Sequence, residues 1–181
     1  LGIAFYKLRQ PYDAMKCYEK ALVFNPNFAD AHNNIGRVLL ELGQLEEAVK
    51  SYKAALKLKP DFAGAYNNLG NVFKDLEQID SAVKSYKKAL EIKPDYVAAQ
   101  YSLGIMFQDL GQFEAAIKCY EMVLAIKPDF EEAHNNLGVA FLNLNQFDEA
   151  VKSYKAAIKI KPDFVEAINN LGIAFYKLQQ M

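Results

Sequence analysis

Apolar residues recur along the chain with the spacing of amphipathic helices. Between residues 29 and 62, one set of apolar positions falls on one face of a first helix, and a second set falls on one face of a second helix. The first set is Ala31, Ile35, Val38, Leu39 and Leu42. The second set is Leu45, Ala48, Val49, Tyr52, Ala55 and Leu56. The pattern predicts a pair of helices, named helix A and helix B below, joined by a short turn.

The helix pair recurs every 34 residues, the interval that separates Pro26 from Pro60. The glycine column is Gly2, Gly36, Gly70, Gly104, Gly138 and Gly172, and the tyrosine column is Tyr18, Tyr52, Tyr86, Tyr120 and Tyr154. The alanine column is Ala14, Ala48, Ala82, Ala116 and Ala150, and the proline column ends with Pro94, Pro128 and Pro162. A period of this length indicates a repeat protein whose helix pairs bury their apolar faces against neighbouring pairs.

The predicted helix ends carry suitable residues. Gly43, Gly111 and Asn145 tolerate the left-handed conformation that ends helix A, whereas Glu77 departs from this pattern. Each proline of the column stops helix B, and the lysine before it opposes the negative helix end. The aspartate after each proline is expected to cap the next helix A, with a glutamate three residues on completing a capping box in two repeats. These residues are Asp61, Asp95, Asp129 and Asp163, with Glu132 and Glu166.

The glycine column lies in the middle of helix A, where glycine costs roughly 1 kcal/mol relative to alanine. Six occurrences of this residue predict close packing, with a neighbouring helix at the place of the missing side chain. The alanine column is expected to provide the matching thin surface on helix B.

These columns resemble the tetratricopeptide repeat (TPR), whose Leu-Gly, Tyr, Ala and Pro positions all recur here. With the glycine numbered as repeat position 8, the repeats are 1–28 (partial), 29–62, 63–96, 97–130, 131–164 and 165–181 (partial). Position 4 is often Trp in the family, but no repeat of this chain has Trp there. The resemblance implies a single all-α array, a TPR solenoid of antiparallel helix pairs stacked into a right-handed superhelix. It also implies a scaffold for protein–protein interaction that binds a peptide or protein partner in a concave groove lined by the A helices.

The groove is expected to use positions 2, 5, 6, 9, 12 and 13 of helix A, named the A face. Position 6 is asparagine in four repeats, and an amide side chain can bind a peptide bond whatever the ligand's own side chains. The column resembles the asparagine ladder in the TPR superhelix of O-GlcNAc transferase, with serine as a missing rung. It reads Asn34, Asn68, Ser102, Asn136 and Asn170. Position 5 has two open interpretations, a part in the groove or satisfaction of neighbouring helices, and it reads Asn33, Asn67, Tyr101, Asn135 and Asn169.

Positions 9 and 12 are expected to give specificity. Arg37, Asn71 and Lys74 make the N-terminal half polar and basic, whereas Ile105 and Val139 make the other half apolar. We therefore expect a mixed peptide with an apolar segment and one acidic residue. A clamp for a terminal carboxylate, the second TPR binding class, is not expected because its lysine and arginine are absent from positions 5 and 6.

Composition narrows the possible partners. The net charge is −1, with 21 basic and 22 acidic residues, so no field draws the chain to nucleic acid or to an anionic membrane. No apolar run approaches the roughly 20 residues of a membrane span. No Gly-rich phosphate loop, Cys-x-x-Cys pair or His-Glu-x-x-His run occurs, so neither catalytic residues nor a cofactor is expected. A metal site is not expected either, because His32 and His134 lie three repeats apart. Cys17 and Cys119 are expected to be free thiols, which favours a cytoplasmic or other intracellular location.

Residues 1–10 and 171–180 differ at one position only, Arg9 against Gln179. The chain is expected to be a fragment of a longer array and to associate through its ends. Two alternatives to a peptide-binding scaffold stay open. One is the substrate-recognition arm of a larger enzyme, similar to O-GlcNAc transferase, and the other is a self-assembling structural protein.

Overall fold

A computed structural model describes residues 2–180, with Lys7 described by its backbone only. This part of the chain forms eleven α-helices and no strand. The helices are α1 (Gly2–Lys7), α2 (Pro11–Phe24), α3 (Ala29–Glu41), α4 (Leu45–Leu58), α5 (Ala63–Asp75), α6 (Ile79–Ile92), α7 (Val97–Asp109), α8 (Phe113–Ile126), α9 (Glu131–Asn143), α10 (Phe147–Ile160) and α11 (Val165–Leu178). The odd-numbered helices are the A helices and the even-numbered ones are the B helices, as the sequence pattern predicts.

The chain divides into two compact units, residues 1–94 and residues 95–181. Within each unit, consecutive helices pack on one another, and neighbouring A helices also touch directly. In unit 1, residues from α3, α4 and α5 share one apolar core. It contains Leu39, Ala48, Tyr52, Leu69 and Val72. In unit 2, the equivalent core contains Ala116, Tyr120, Leu137 and Ala140. The predicted repeat boundaries and the single array stay predictions.

The glycine column allows a tyrosine ring to pass directly against helix A. A Cβ atom built on Gly36 would lie 2.7 Å from Cε1 of Tyr52, and one built on Gly138 would lie 2.6 Å from Cε1 of Tyr154. Real Cβ atoms essentially never approach a ring carbon this closely. The predicted close packing is present, and the atoms nearest to the place of the missing side chain belong to the tyrosine 16 residues later.

The turn before each full helix A differs from the sequence prediction. Phe62 donates its backbone N–H to the Lys59 carbonyl at 3.2 Å, which closes a β-turn with Pro60 and Asp61 at its centre. Proline favours the second position of such a turn, so the aspartate becomes the third turn residue. The predictions of aspartate N-caps and capping boxes are therefore wrong. The N-cap residues are Phe28, Phe62, Tyr96, Phe130 and Phe164, and no side chain caps any of these helix ends.

The end of helix A has a left-handed residue in every complete repeat. Gly43 and Gly111 have φ values of 72° and 70°, and Asn145 has a φ of 58°. Glu77, which departs from the sequence pattern, adopts the same conformation with a φ of 59°. The backbone geometry of the repeat therefore overrides the preference of this residue.

Candidate functional site: the A face

The amide side chains of the A face connect neighbouring A helices. In each unit, the asparagine at position 6 donates a hydrogen bond from Nδ2 to the side chain at position 5 of the preceding repeat, 35 residues earlier. We call these contacts amide bridges. They run from Asn68 to Asn33 at 3.1 Å, from Asn136 to the Tyr101 hydroxyl at 2.9 Å and from Asn170 to Asn135 at 3.1 Å. The position-6 asparagines thus fix the register between A helices.

Positions 5 and 6 differ in their exposure. Asn33, Asn67 and Asn135 at position 5 are buried, Tyr101 is half-buried and Asn169 is exposed. Among the buried position-5 amides, Asn33 and Asn135 accept an amide bridge from the next A helix. The Oδ1 atom of Asn67 is buried and has no hydrogen-bond partner in the described part of the chain. All the position-6 residues are half-buried, so they present part of their side chains to solvent. These are Asn34, Asn68, Ser102, Asn136 and Asn170.

The bridged asparagines keep hydrogen-bonding capacity for a ligand. An asparagine amide has two N–H donors and a carbonyl oxygen. The bridge of Asn68 or Asn170 uses one donor, and no other hydrogen bond to these two side chains occurs in the described part of the chain. Each amide is therefore oriented by one contact while a donor and an acceptor remain available.

Tyr101 replaces asparagine as a bridge acceptor in unit 2. Its ring packs against Phe130, with the centroids 4.8 Å apart, and against Tyr120 at 5.9 Å. Burial raises the pKa of Tyr101 to about 12, with smaller contributions from neighbouring charges. The hydroxyl therefore stays protonated at neutral pH and can accept from Asn136 while it donates elsewhere.

Unit 1 has polar and basic groups on its A face. The Arg37 guanidinium lies 4.5 Å from the centroid of the Tyr6 ring, and the rest of this side chain is exposed. Asn71 accepts a hydrogen bond from the Tyr86 hydroxyl at 2.8 Å. Lys74 is exposed and lies 3.9 Å from Asp75. A guanidinium stacked on an aromatic ring keeps its N–H donors free at the edge, where they match a carboxylate.

Unit 2 has an apolar A face. Ile105, Val139 and Leu142 are half-buried, and Ile173 is exposed. Val139 and Leu142 pack against the core that contains Tyr154. The hydroxyl of this tyrosine is buried and lacks a hydrogen-bond partner in the described part of the chain. The predicted contrast in ligand preference between the two halves stays a prediction.

The tyrosine column forms the floor beneath the A face, a role that the sequence analysis missed. Tyr86 reaches Asn71 at position 9, and Tyr120 donates to Gln108 at position 12 at 3.3 Å. In the repeat of Tyr154, positions 9 and 12 are the apolar residues Val139 and Leu142, which pack against the core that contains this tyrosine. The Tyr154 hydroxyl has no hydrogen-bond partner among the described residues. The sequence signal is the constant interval of 16 residues between the glycine and tyrosine columns.

The histidines and cysteines have local structural surroundings. Nε2 of His134 lies 2.9 Å from the Pro128 carbonyl oxygen, and His32 makes the same contact with Pro26 at 3.3 Å. Neither Cys17 nor Cys119 forms a disulfide in the described part of the chain. Among residues 2–180, no three His, Cys, Asp or Glu residues come together in a way that could hold a metal ion.

The repeat columns, the Gly–Tyr contacts and the helix pairs identify the protein family. Sequence profiles of the TPR repeat match residues 36–77, 70–111, 106–145 and 140–179, and a tetratricopeptide repeat profile matches residues 17–50. The chain belongs to the tetratricopeptide repeat family. The all-α TPR solenoid fold that its sequence predicts is confirmed. Membership of this family supports an interaction scaffold.

Solved TPR structures are similar to this chain over most of its length. MamA is 27% identical, with a TM-score of 0.81, and the match covers 90% of this chain and 95% of that chain. YrrB, a TPR protein with an unusual peptide-binding site, is 23% identical, with a TM-score of 0.77 and coverages of 93% and 87%. TTC0263, a thermophilic TPR protein of Thermus thermophilus, is 23% identical, with a TM-score of 0.72 and coverages of 97% and 95%. Among curated proteins, none matches this chain.

The structure also bears on membrane insertion. In the described part of the chain, no helix combines the length and the apolar character that a membrane span requires.

Proposed function

We propose that the chain is a protein–protein interaction scaffold whose A face binds an extended peptide segment of a partner protein. The observation that carries this proposal is the set of half-exposed position-6 amides, three of them oriented by an amide bridge. A fixed amide loses less side-chain entropy on binding than a mobile one, so pre-orientation improves affinity. Nothing in this proposal requires catalysis or a cofactor.

The chemistry of the amides suits recognition of a peptide backbone. Each free N–H and carbonyl oxygen at position 6 can pair with a peptide C=O or N–H without reading the ligand's side chains. Each such bond contributes about 0.5 to 1.5 kcal/mol net, so several amides together give only moderate affinity. Contacts at positions 9 and 12 must add the remainder and supply the specificity.

The exposed side chains of each unit define the ligand chemistry. In unit 1, the stacked guanidinium of Arg37 and the ammonium of Lys74 favour an acidic ligand residue. In unit 2, Ile105, Val139 and Leu142 favour apolar ligand residues that remove their surface from water. Unit 1 is therefore expected to bind an acidic residue of an extended partner segment, and unit 2 is expected to bind an apolar stretch.

A library of random linear peptides displayed on phage provides the test. Enriched peptides should be apolar with an acidic residue, and their affinities are measured by fluorescence anisotropy. Asn34 gives the sharpest variant, because no amide bridge to its side chain occurs in the described part of the chain. Asn34→Ala should weaken binding by about two- to tenfold without loss of an inter-helix contact.

Two comparisons complete this experiment. Asn68→Ala should lower both affinity and stability, since it removes a bridge as well as a ligand contact. N-methylation of the peptide backbone should weaken binding where an amide pairs with a peptide N–H. If Asn34→Ala and the N-methylated peptides bind as tightly as their parents, the amides are structural only and the backbone-recognition proposal is wrong.

A further inference from the structure

The hydroxyl of Tyr52 is a buried donor beneath the A face of unit 1. Tyr52 is fully buried, and its hydroxyl has no hydrogen-bond partner in the described part of the chain. Its ring lies against Gly36 of α3 and shares a core with Leu69 of α5. The helices around it, α3, α4 and α5, have 13, 14 and 13 residues. The unpaired hydroxyl therefore belongs to the packed interior of a complete repeat.

Two equivalent tyrosines show where this hydroxyl points. Tyr86 donates to Asn71 at position 9 of its own repeat at 2.8 Å, and Tyr120 donates to Gln108 at position 12 of its own repeat at 3.3 Å. A tyrosine of this column therefore brings its hydroxyl to the A face beneath positions 9 and 12. In these two repeats, an amide of the chain itself accepts the hydrogen bond.

The repeat of Tyr52 has no such acceptor at these positions. Position 9 is Arg37, whose guanidinium only donates, and position 12 is Leu40, which has no polar side-chain atom. Burial raises the pKa of Tyr52, and the nearby charge of Arg37 opposes this effect in part. The hydroxyl therefore stays protonated at neutral pH, and it lies near a second donor.

Two neighbouring donors without an acceptor are complementary to a carboxylate. One carboxylate can accept hydrogen bonds from several donors, and those from an ionised group such as a guanidinium are the strongest. We propose that Tyr52 determines specificity: its hydroxyl and the Arg37 guanidinium together bind the carboxylate of an aspartate or glutamate in the partner segment. This inference rests on the proposed function and names the residues that recognise the acidic position.

The exposed side chain of Arg37 gives a ligand access to the hydroxyl. Arg37 is exposed, and Leu40 is half-buried. Rotamer changes of interface side chains are common on binding, so a carboxylate can move the guanidinium aside and remain paired with it. The Tyr52 hydroxyl then gains a charged acceptor in place of its lost hydration. This hydroxyl thus contributes nothing to the stability of the free chain but contributes to binding.

Fluorescence anisotropy with two probe peptides tests the proposal. The first probe is the acidic peptide of highest affinity from the phage selection, and the second is the same peptide with Asp replaced by Asn or Glu by Gln. The wild type should prefer the acidic probe by about tenfold or more. Tyr52→Phe should lose most of this preference, while its free energy of unfolding stays unchanged or rises. A hydroxyl with a purely structural role would not produce this combination.

Tyr154→Phe provides the matched control. The Tyr154 hydroxyl is also buried and has no hydrogen-bond partner among the described residues. Positions 9 and 12 of its repeat are Val139 and Leu142, so no guanidinium accompanies this hydroxyl. Tyr154→Phe should therefore keep the wild-type preference for the acidic probe.

Four results would each overturn the proposal. They are a selection that enriches no acidic peptide, full preference in Tyr52→Phe, an equal loss of preference in Tyr154→Phe, and a destabilisation of Tyr52→Phe as large as that of Tyr86→Phe. The last result would show that the hydroxyl already has a partner in the free chain. Backbone recognition is judged separately, because Asn34→Ala should weaken binding of both probes whatever Tyr52→Phe does.

Discussion

At the scale of single residues, the contact between glycine and tyrosine determines the shape of each repeat. Gly36 and its equivalents leave no room for a side chain, because a buried tyrosine ring passes where a Cβ would stand. A substitution must therefore displace either the ring or the helix, and both are held by the surrounding core. The gain in helix propensity when alanine replaces glycine is smaller than the cost of the steric overlap with the tyrosine ring.

The first prediction compares two members of the glycine column. Gly138→Ala should destabilise the chain by about 1 to 3 kcal/mol, because its methyl overlaps the Tyr154 ring. Gly172→Ala should stabilise it by up to about 1 kcal/mol, because nothing lies near the added methyl and alanine favours the helix. Urea unfolding at low protein concentration measures both. Equal effects of the two substitutions would contradict the ring-contact explanation.

The tyrosine hydroxyls differ from repeat to repeat although the rings are equivalent. Tyr86 and Tyr120 donate to polar residues of the A face. Tyr52 and Tyr154 are fully buried, and their hydroxyls have no hydrogen-bond partner among the described residues. A buried polar group that makes no hydrogen bond loses its hydration, and no new interaction offsets this cost.

The second prediction uses this difference. Tyr86→Phe should cost about 0.5 to 1.5 kcal/mol, since it removes the bond to Asn71. Tyr154→Phe removes only an unsatisfied hydroxyl and should leave the free energy of unfolding unchanged or raise it. Chemical denaturation of the two variants beside the wild type provides the measurement. A larger loss in Tyr154→Phe than in Tyr86→Phe would show that the Tyr154 hydroxyl has a partner.

At the scale of helices and turns, backbone geometry is uniform where the sequence is not. The second residue after each of α3, α5, α7 and α9 lies in the left-handed region, whether that residue is glycine, asparagine or glutamate. The uniform turn positions each B helix on its A helix, so the repeat enforces it even at Glu77. For a residue with a Cβ, this conformation costs about 1 to 2 kcal/mol.

The third prediction follows from the strain at Glu77. Glu77→Gly should stabilise the chain by about 1 kcal/mol, because glycine adopts a φ of 59° without steric penalty. Gln78→Gly is the matched control, since Gln78 has a φ of −88° and gains nothing from glycine. Thermal unfolding of both variants is the measurement. Stabilisation by Gln78→Gly, or destabilisation by Glu77→Gly, would exclude backbone strain as the cause.

At the scale of the whole molecule, buried tyrosines couple stability to alkaline pH. Burial raises the pKa of Tyr52, Tyr120 and Tyr154, and it raises the pKa of Tyr101 to about 12. An unfolded tyrosine ionises near a pH of about 10, so above that pH the unfolded chain binds fewer protons than the folded chain. The stabilising effect is fully present below a pH of about 10 and is lost as the pH rises through the folded-state pKa.

The fourth prediction is a fall in the free energy of unfolding between about pH 10 and about pH 12. Tyr101→Phe should make this fall less steep, since it removes one group with a raised pKa. Urea titrations at several alkaline pH values give the slopes. Identical slopes in Tyr101→Phe and the wild type would argue against burial as the cause.

Much of the fold can be predicted from sequence because each local signal is present in several copies. One proline or one apolar stripe is a weak indication, but columns at a constant interval define the helices and their turns. The N-cap prediction failed for a physical reason. Asp61 follows a proline, and both residues are used by a β-turn, so the helix starts after Phe62.

The candidate site could be predicted only in part. The A face and the contrast between Arg37 and Val139 follow from helical spacing. The burial of Asn33 and the bridge from Asn68 do not, because they depend on the register of two helices that touch only through tertiary packing. Sequence alone placed Asn68 in the predicted groove and left two interpretations open for Asn33.

The sequence by itself determined the 34-residue period, the paired helices and the need for glycine opposite something bulky. These properties follow from local propensity and spacing, which residues near in the chain decide. Only the tertiary structure decided that a tyrosine ring fills the space at Gly36 and its equivalents, and which amides are buried. Those outcomes depend on side chains brought together from different helices, and their distances are fixed by packing.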